Sequence, residues 1–144
     1  MSDPHGSPIA QASFIAASGS GSAGKTVIRN LTRGTVLADH AWVATGTLQR
    51  MVGLLNRSLL NAGEAMVFPS CRSIHTCFMR FSIDVLFVEQ GHIRRVVPRV
   101  RPFQVVWSGQ ADMVIELPEG TVARTHTQAG DRIEVSSGLF QVPS

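Results

Sequence analysis

Two cysteines and a histidine, Cys71, His75 and Cys77, stand close together in the pattern C-x-x-x-H-x-C. On an extended strand these three positions have the same parity, so their side chains can lie on one side. Thiolate and imidazole groups bind zinc or copper, and Asp84 or His40 would supply a fourth ligand. Strand spacing, however, puts Cys71 and His75 about 13 Å apart. That is too far for one ion unless the strand bends, so metal binding is not favoured and we expect no cofactor.

The same residues suggest a second chemistry, a nucleophile with its base. Either cysteine beside His75 could act as an activated thiol, provided that a third group orients the imidazole. Asp39, Asp84 and Asp112 are the candidates for that group. Neither cysteine lies on a nucleophile elbow or at a predicted helix N-terminus. A hydrolase-like enzyme that uses His75 with Cys77 or Asp84 is therefore the alternative interpretation, and not the favoured one.

Asp84 is an acid inside an apolar stretch, IDVLFV. A buried carboxylate requires a charged partner or several hydrogen bonds, because burial without them is costly. Arg80 and Arg57 are the candidate partners, and the favoured interpretation is a structural clamp formed by these arginines and Asp84. Glu116 also lies in an apolar stretch, MVIEL, and we expect it to face the same polar centre.

The functional interpretation of this region is a binding rim. In that case His75, Met79, Arg80, Asp84 and Glu116 would contact a ligand. Perturbed ionisable groups are enriched at binding and catalytic sites, but ion pairs that only stabilise a fold produce the same pattern. These five residues are the candidate binding site, and the clamp is its structural rival.

A basic run, Arg94, Arg95, Arg99 and Arg101, precedes Trp107. Arginines can bind the phosphates of nucleic acid or the charges of another anionic polymer. The valines between them instead indicate an exposed edge strand, on which charge prevents edge-to-edge aggregation. We therefore do not expect nucleic acid as a partner, and an unknown small molecule or protein is favoured.

Residues 19–26, GSGSAGKT, match the phosphate-binding pattern G-x-x-x-x-G-K-[ST] from Gly19 to Thr26. In nucleotide-binding proteins this loop connects a buried strand to a helix N-terminus. Neither flank fits here, because residues 14–18 make a poor strand and residues 27–34 are too short and too β-branched for a helix. The match is typical of chance in a Ser/Gly-rich linker, and we do not expect nucleotide binding.

The elements that must position these residues are mainly strands. Apolar stretches separated by turn residues predict strands at residues 27–28, 35–44, 64–68, 73–79, 83–89, 92–97, 103–107, 111–117 and 132–135. A hairpin turn is predicted at residues 89–91, and Pro98 and Pro102 are expected to break the chain after residue 97 into an edge or a loop. A helical period predicts one early helix through Leu48, Met51, Val52, Leu55 and Leu59. Together these elements predict a mainly β (α+β) fold, a compact sandwich-like or barrel-like domain.

Composition predicts how the chain is divided. With 144 residues, 44% of them hydrophobic, the chain can form one domain with a buried core. Residues 1–25 are predicted to be a flexible Ser/Gly/Ala-rich leader, residues 26–136 the single domain and residues 137–144 a short tail. No apolar run reaches the roughly 20 residues of a transmembrane helix. The leader lacks the basic start and apolar core of a signal peptide, so a cytoplasmic location is the default and export is left open.

Four motifs follow one another in a definite order: GLLNR at residues 53–57, SIHTCFMRFSIDVLFV at residues 73–88, ELPEGT at residues 116–121, and Gly130-Asp131. In this order they resemble the domain of unknown function 192, also called the uncharacterised protein family UPF-0127, over roughly residues 28–135. The resemblance implies a compact, mainly β domain with one early helix, and it implies no established activity. The chain departs from the family pattern at Glu119, where alanine is usual. It also departs at His75 and Cys77, where the commoner form of the motif has an aromatic residue.

These observations favour a small non-enzymatic binding or accessory module with an unknown ligand. The sequence contains no complete catalytic constellation and no cofactor motif in a fitting context. Because family members are widespread in prokaryotes and sometimes exported, the resemblance also allows a role in an envelope or surface-associated system.

Overall fold

The computed structural model describes residues 26–44, 60–77 and 79–137. These residues form nine strands and one short helix: β1 (Thr26–Asn30), β2 (Thr35–Val43), β3 (Glu64–Pro69), β4 (Ser73–His75), β5 (Ile83–Glu89), β6 (His92–Val100), β7 (Val105–Trp107), β8 (Met113–Pro118), α1 (Thr121–Thr125) and β9 (Ile133–Ser137). The predicted mainly β class is confirmed. The predicted early helix, the leader with nearly all of the GSGSAGKT motif, and the tail beyond Ser137 lie outside the described residues.

Seven strands form one curled sheet in the order β6-β5-β8-β3-β2-β1-β9. The pairs are antiparallel except for β2 and β3, which run parallel. The two edge strands meet at one end, where a bridge joins His92 to Arg132 and Ile93 N donates a hydrogen bond to Asp131 O at 2.9 Å. The sheet is therefore a partly closed barrel, in agreement with the barrel-like domain that the sequence predicts.

The curled sheet has two apolar faces, because successive side chains on a strand point to opposite sides. On the inner face, one cluster includes side chains from all seven strands together with Val122 of α1. On the outer face, a second cluster includes Met66, Val85, Phe87 and Val114. Phe87 has no exposed surface, and burying such a side chain contributes about 2–3 kcal/mol. The separation of these faces decides which functional side chains can meet.

The β5–β6 hairpin has the turn that the sequence predicts. Glu89 pairs with His92, and Gln90 and Gly91 between them have φ values of 50° and 82°. Two positive φ values give the tight turn that matches the twist of the flanking strands, and glycine adopts this conformation without steric cost.

β6 is longer than expected, because it continues through Pro98 to Val100. The predicted end of this strand at residue 97 is therefore wrong, whereas the edge position that the prolines indicate agrees with the sheet order. Proline is tolerated there because β6 is an edge strand and its pairing with β5 is irregular between Ile83 and Val85.

A buried polar cluster joins β1 to the segment between α1 and β9. Asn30 Nδ2 donates to Asp131 Oδ2 at 2.9 Å and to Thr127 Oγ1 at 3.2 Å. Arg33 Nε and Gln128 N also donate to Asp131 Oδ2, at 3.0 and 2.9 Å. Burial acts to raise the pKa of Asp131, but these hydrogen bonds and the charge of Arg33 outweigh it, so that the pKa is lowered. The Gly130-Asp131 motif thus has a structural role.

α1 is a helix that the sequence does not predict, since five residues carry too little periodicity. It is flanked by Gly120 and His126, which cap its two ends with φ values of 95° and 56° in the left-handed region. Thr125 Oγ1 donates to Thr121 O at 2.7 Å within it. Across the part of the chain that the structure describes, no helix has the length and hydropathy needed to cross a membrane.

Candidate binding site

Asp84, on β5, is 1% exposed, and backbone N–H groups satisfy its carboxylate. Its Oδ2 accepts hydrogen bonds from Gly120 N at 3.1 Å and Val122 N at 2.9 Å. Its Oδ1 accepts a hydrogen bond from Arg99 N at 3.0 Å. A carboxylate stabilises the exposed N–H groups at the start of a helix. Asp84 therefore attaches the start of α1 and the last part of β6, at Arg99, to β5.

The described residues do not form the arginine–aspartate clamp. Arg80 is exposed and makes no ion pair with Asp84 within those ranges, and Arg57 lies outside them. Within the described residues, three backbone donors bond to the two oxygens of Asp84 and compensate the buried charge, and the part of the clamp that involves Arg57 stays a prediction.

Asp84 and Glu116 lie on opposite faces of the sheet, although they are close in the ladder. Asp84 pairs with Leu117, and Val85 pairs with Glu116. By strand alternation, Asp84 points to the inner face with Leu117, whereas Glu116 points to the outer face with Val85. Contrary to the sequence-based expectation, the two acids do not share a polar centre.

Glu116 is an acid buried among apolar side chains, with 4% of its surface exposed. Its cross-strand neighbours are Met66 on β3 and Val85 on β5. Its Oε2 atom is buried and has no hydrogen-bond partner in the described structure. Burial raises the pKa of Glu116 from 4.5 to about 8, because apolar surroundings disfavour the charged form. At neutral pH this side chain is mainly the neutral acid.

The remaining predicted site residues are dispersed. His75 is exposed at the end of β4, whereas Met79 is buried in the outer-face cluster. Cys71 Sγ donates to Ser73 O at 3.1 Å, and Cys71 and Cys77 are free, half-buried thiols. Among the described residues, no three His, Cys, Asp or Glu side chains gather as a metal site requires. The structure therefore adds no geometric support to a metal or thiol centre at Cys71, His75 and Cys77.

β4 and β7 form a separate antiparallel pair, which we call the ribbon. Ile74 of β4 pairs with Val106 of β7, and both side chains pack on the outer-face cluster of the curled sheet. Because these two side chains point inward, their neighbours on each strand must point away from the sheet.

The outward-pointing side chains define what we call the ribbon face: Ser73, His75, Val105 and Trp107, together with the adjoining Phe103. Phe103 is 75% exposed, Val105 59% and Trp107 61%. Isolated exposed apolar residues are common, but a contiguous exposed patch indicates an interaction site. Val105 and Trp107 share one side of β7, and Phe103 lies two residues before Val105, so the ribbon face concentrates three exposed apolar side chains in one short segment.

Thr76 is a buried side chain that holds the turn carrying Phe103. Its Oγ1 donates to Arg101 O at 2.6 Å and accepts from Gln104 N at 2.9 Å. Thr76 N donates to Gln104 O at 2.8 Å, and Phe103 N donates to Thr76 O at 2.9 Å. These bonds end β4 at His75, although the sequence predicts a strand to residue 79.

The backbone of this turn is strained at Phe103, which has a φ of 64°. A non-glycine residue in the left-handed region costs about 1–2 kcal/mol. The exposed ring of Phe103 recovers little of that cost through burial. Such a conformation persists only where the surrounding structure maintains it, here through the hydrogen bonds to Thr76.

The two segments that contribute the ribbon are rich in arginine and contain no acid. No acidic residue occurs between Glu64 and Asp84 or between Glu89 and Asp112, and these intervals contain six arginines. The chain has 13 basic and 10 acidic residues, so the remaining sequence has seven basic residues against ten acidic ones. The net positive charge of the protein therefore arises from these two intervals.

Four of the six arginines have no acidic partner in the described parts of the chain: Arg72, Arg80, Arg95 and Arg101. The other two form ion pairs, Arg94 with Glu89 at 2.6 Å and Arg99 with Glu119 at 3.4 Å. Arg95 Nη1 donates a hydrogen bond to Trp107 O, which holds a guanidinium beside the ribbon.

Sequence reasoning did not select Phe103, Val105 or Trp107 as site residues. An apolar strand normally packs on the core with most of its side chains. The sequence does not show that β7 pairs with β4 in a ribbon, in which only the middle residue, Val106, points to the core. One signal in the sequence could have indicated this surface. The interval between Glu89 and Asp112 contains four arginines and no acidic residue with which they could form ion pairs.

The order of motifs and the β-rich fold agree with a known family. The family model DUF192, described as Uncharacterized ACR, matches residues 28–135. The chain belongs to the DUF192 family. A UPF0127 protein from Thermococcus sibiricus (strain DSM 12597 / MM 739) is 31% identical over 122 residues, which cover 80% of this chain and 79% of that relative. The resemblance predicted from the motifs is confirmed.

Two crystal structures have a fold similar to that of this DUF192 chain. One, from Sinorhizobium meliloti 1021 and provisionally named a transcription regulator, has a TM-score of 0.65 at 24% identity and covers 78% of this chain and 92% of its own. The other, a protein of unknown function from Novosphingobium aromaticivorans DSM 12444, has a TM-score of 0.66 at 20% identity, with coverages of 83% and 96%. At these identities the likeness concerns the fold alone.

Proposed function

We propose that this protein is a non-enzymatic binding module whose recognition surface is the ribbon face and whose partner is a polyanion. The observation that carries the proposal is the exposure of Phe103, Val105 and Trp107 within segments that contain arginines and no acid. Such a surface combines apolar contact with uncompensated positive charge. His75, a member of the candidate site in the sequence, belongs to this surface.

The charge of this surface supports an anionic partner. Arg95 and Arg101 border the ribbon, and neither guanidinium has a carboxylate partner among the described residues. Binding a polyanion would supply those partners and release condensed counterions, which favours association at low salt. The sequence argues against this class of partner because β6 looks like a solvated edge. β6 is indeed an edge strand. However, Arg95 on β6 donates a hydrogen bond to the backbone O of Trp107, which is a member of the ribbon face.

The hydrolase-like alternative receives less support from the geometry. Asp84 is bonded to three backbone N–H groups, and His75 makes no hydrogen bond to Cys77 or Asp84 in the described parts of the chain. A nucleophile and base need such contacts, directly or in the substrate complex. A role in an envelope or surface-associated system and a cytoplasmic location stay predictions.

The experiment measures binding of fluorescein-labelled heparin, a polyanion without bases, by fluorescence anisotropy at low salt. The double variant Arg95→Ala/Arg101→Ala is compared with Arg124→Ala, which removes an exposed arginine from α1, on the other side of the sheet. We expect the double variant to weaken binding about tenfold or more and Arg124→Ala to have little effect. Absence of heparin binding, or equal loss in both variants, would contradict the proposal.

A further inference from the structure

We infer that the polyanion held by the ribbon face is single-stranded nucleic acid, with its bases stacked on Phe103 and Trp107. The inference rests on the function proposed above, because it names the partner of the same surface. It replaces the expectation from the sequence that nucleic acid is not a partner.

Two exposed rings supply the stacking surfaces. Phe103 and Trp107 are four residues apart, on either side of the exposed Val105, and are 75% and 61% exposed. Every base has a π face, and stacking of one base on an aromatic side chain contributes about 1–3 kcal/mol. His75, exposed and directly opposite Val105 in the ribbon, adds a third ring to the same side.

The cations of this surface suit phosphate groups. The described residues contain arginine and no lysine, since Lys25 lies outside them. A guanidinium is planar, binds phosphate through two parallel hydrogen bonds and stacks on bases, which an ammonium group does not do. Arg95 Nη1 donates a hydrogen bond to the backbone O of Trp107, so one such cation is held at the residue that carries an exposed ring. A cation and a ring therefore occur at neighbouring residues, as phosphate and base do in a nucleotide.

The shape of the patch distinguishes single strands from two other polyanionic partners. A duplex buries the faces of its bases in the stack, so it offers phosphates but no ring to Phe103 or Trp107. Peripheral membrane binding uses a broad apolar face or a second anchor. The ribbon face instead has one narrow stripe of three exposed apolar side chains.

The test compares four labelled or immobilised probes at the same ionic strength: oligothymidylate of about 12 nucleotides, its duplex with oligoadenylate, heparin, and phosphatidylserine/phosphatidylcholine vesicles. We expect oligothymidylate to bind most tightly and to quench tryptophan fluorescence. Phe103→Ala and Trp107→Ala should each weaken oligothymidylate binding about tenfold and leave heparin binding nearly unchanged. Leu31→Ala, which removes an exposed apolar side chain from the β1–β2 turn, is the matched control.

The outcomes separate this inference from the proposed function. If heparin and oligothymidylate bind equally and the aromatic variants have no effect, recognition is by charge alone, and the inference fails while the proposed function stands. Tighter, ring-dependent binding to the vesicles or to the duplex would also overturn the inference. If no probe binds, both fail. Circular dichroism of each variant checks that loss of binding does not reflect loss of the fold.

Discussion

Asp84 and Glu116 are adjacent in the β5–β8 ladder, yet their carboxyl groups have different chemistry. Asp84 faces inward and accepts three backbone hydrogen bonds, so it is satisfied as an anion. Glu116 faces outward among apolar side chains, and its Oε2 atom is buried without a partner among the described residues. The sequence places an acid in an apolar strand in both cases. It does not show to which face of the sheet each acid points. It also does not show that Gly120 N and Val122 N, which are 36 and 38 residues from Asp84, donate hydrogen bonds to that carboxylate.

The buried acid leads to a prediction about pH dependence. The pKa of Glu116 rises from 4.5 to about 8 on folding, so between these values the folded protein retains a proton that the unfolded chain releases. The free energy of unfolding should therefore fall as pH rises through this window, by at most about 1.4 kcal/mol per pH unit from this residue. Glu116→Gln removes the titration, so the stability of the variant relative to the wild type should increase between pH 5 and pH 8.

Urea denaturation at several pH values measures this difference. The control is Glu134→Gln, which removes a half-exposed carboxylate from β9. For that variant the difference from the wild type should change little with pH. A difference for Glu116→Gln that is also constant between pH 5 and pH 8 would show that the acid ionises in the folded protein as it does in water.

At the scale of elements, the main strands are predictable because their apolar stretches and turn residues are local. The bounds of β3, β5 and β8 follow the predicted segments closely, and Gly91 marks the hairpin. α1 and the length of β4 are not predictable in this way, because contacts from distant segments determine them. Asp84 bonds to the start of α1, and the Thr76 bonds to the turn at residues 101–104 end β4.

The turn that presents Phe103 should depend on the hydroxyl of Thr76. Thr76→Val keeps the shape of the side chain but leaves Arg101 O and Gln104 N without their partner. We expect a loss of about 1–3 kcal/mol in the free energy of unfolding. We also expect faster hydrogen exchange at Phe103 N and Gln104 N, measured by mass spectrometry or NMR.

The chain offers a matched control for this substitution. Thr35 Oγ1 is buried and has no hydrogen-bond partner in the described structure, so Thr35→Val removes an unsatisfied polar group. That variant should be as stable as the wild type or more stable. Equal effects of the two substitutions on stability and on exchange at residues 103 and 104 would rule out the proposed role of Thr76.

At the scale of the whole molecule, the three most exposed large apolar side chains, Phe103, Val105 and Trp107, lie in a segment that is rich in arginine and free of acids. The ribbon covers the outer face, and the acid-free segments that form it carry six of the 13 basic residues. α1 packs on the inner face instead. The sequence reveals the composition of these segments, but only the pairing of Ile74 with Val106 shows which side chains of the ribbon point to solvent. This division of the molecule underlies the proposal that the ribbon face binds a polyanion.

Chemical-shift mapping by NMR tests that proposal most directly. The ¹⁵N-labelled protein would be titrated with heparin and, separately, with oligothymidylate at low salt. We expect the largest shifts at the amides of β4, β7 and residues 101–104, and at the indole N–H of Trp107, whereas α1 and β9 should change little. Shifts centred on α1 or β9, or saturable binding that leaves the ribbon amides unchanged, would show that the ribbon face is not the binding surface.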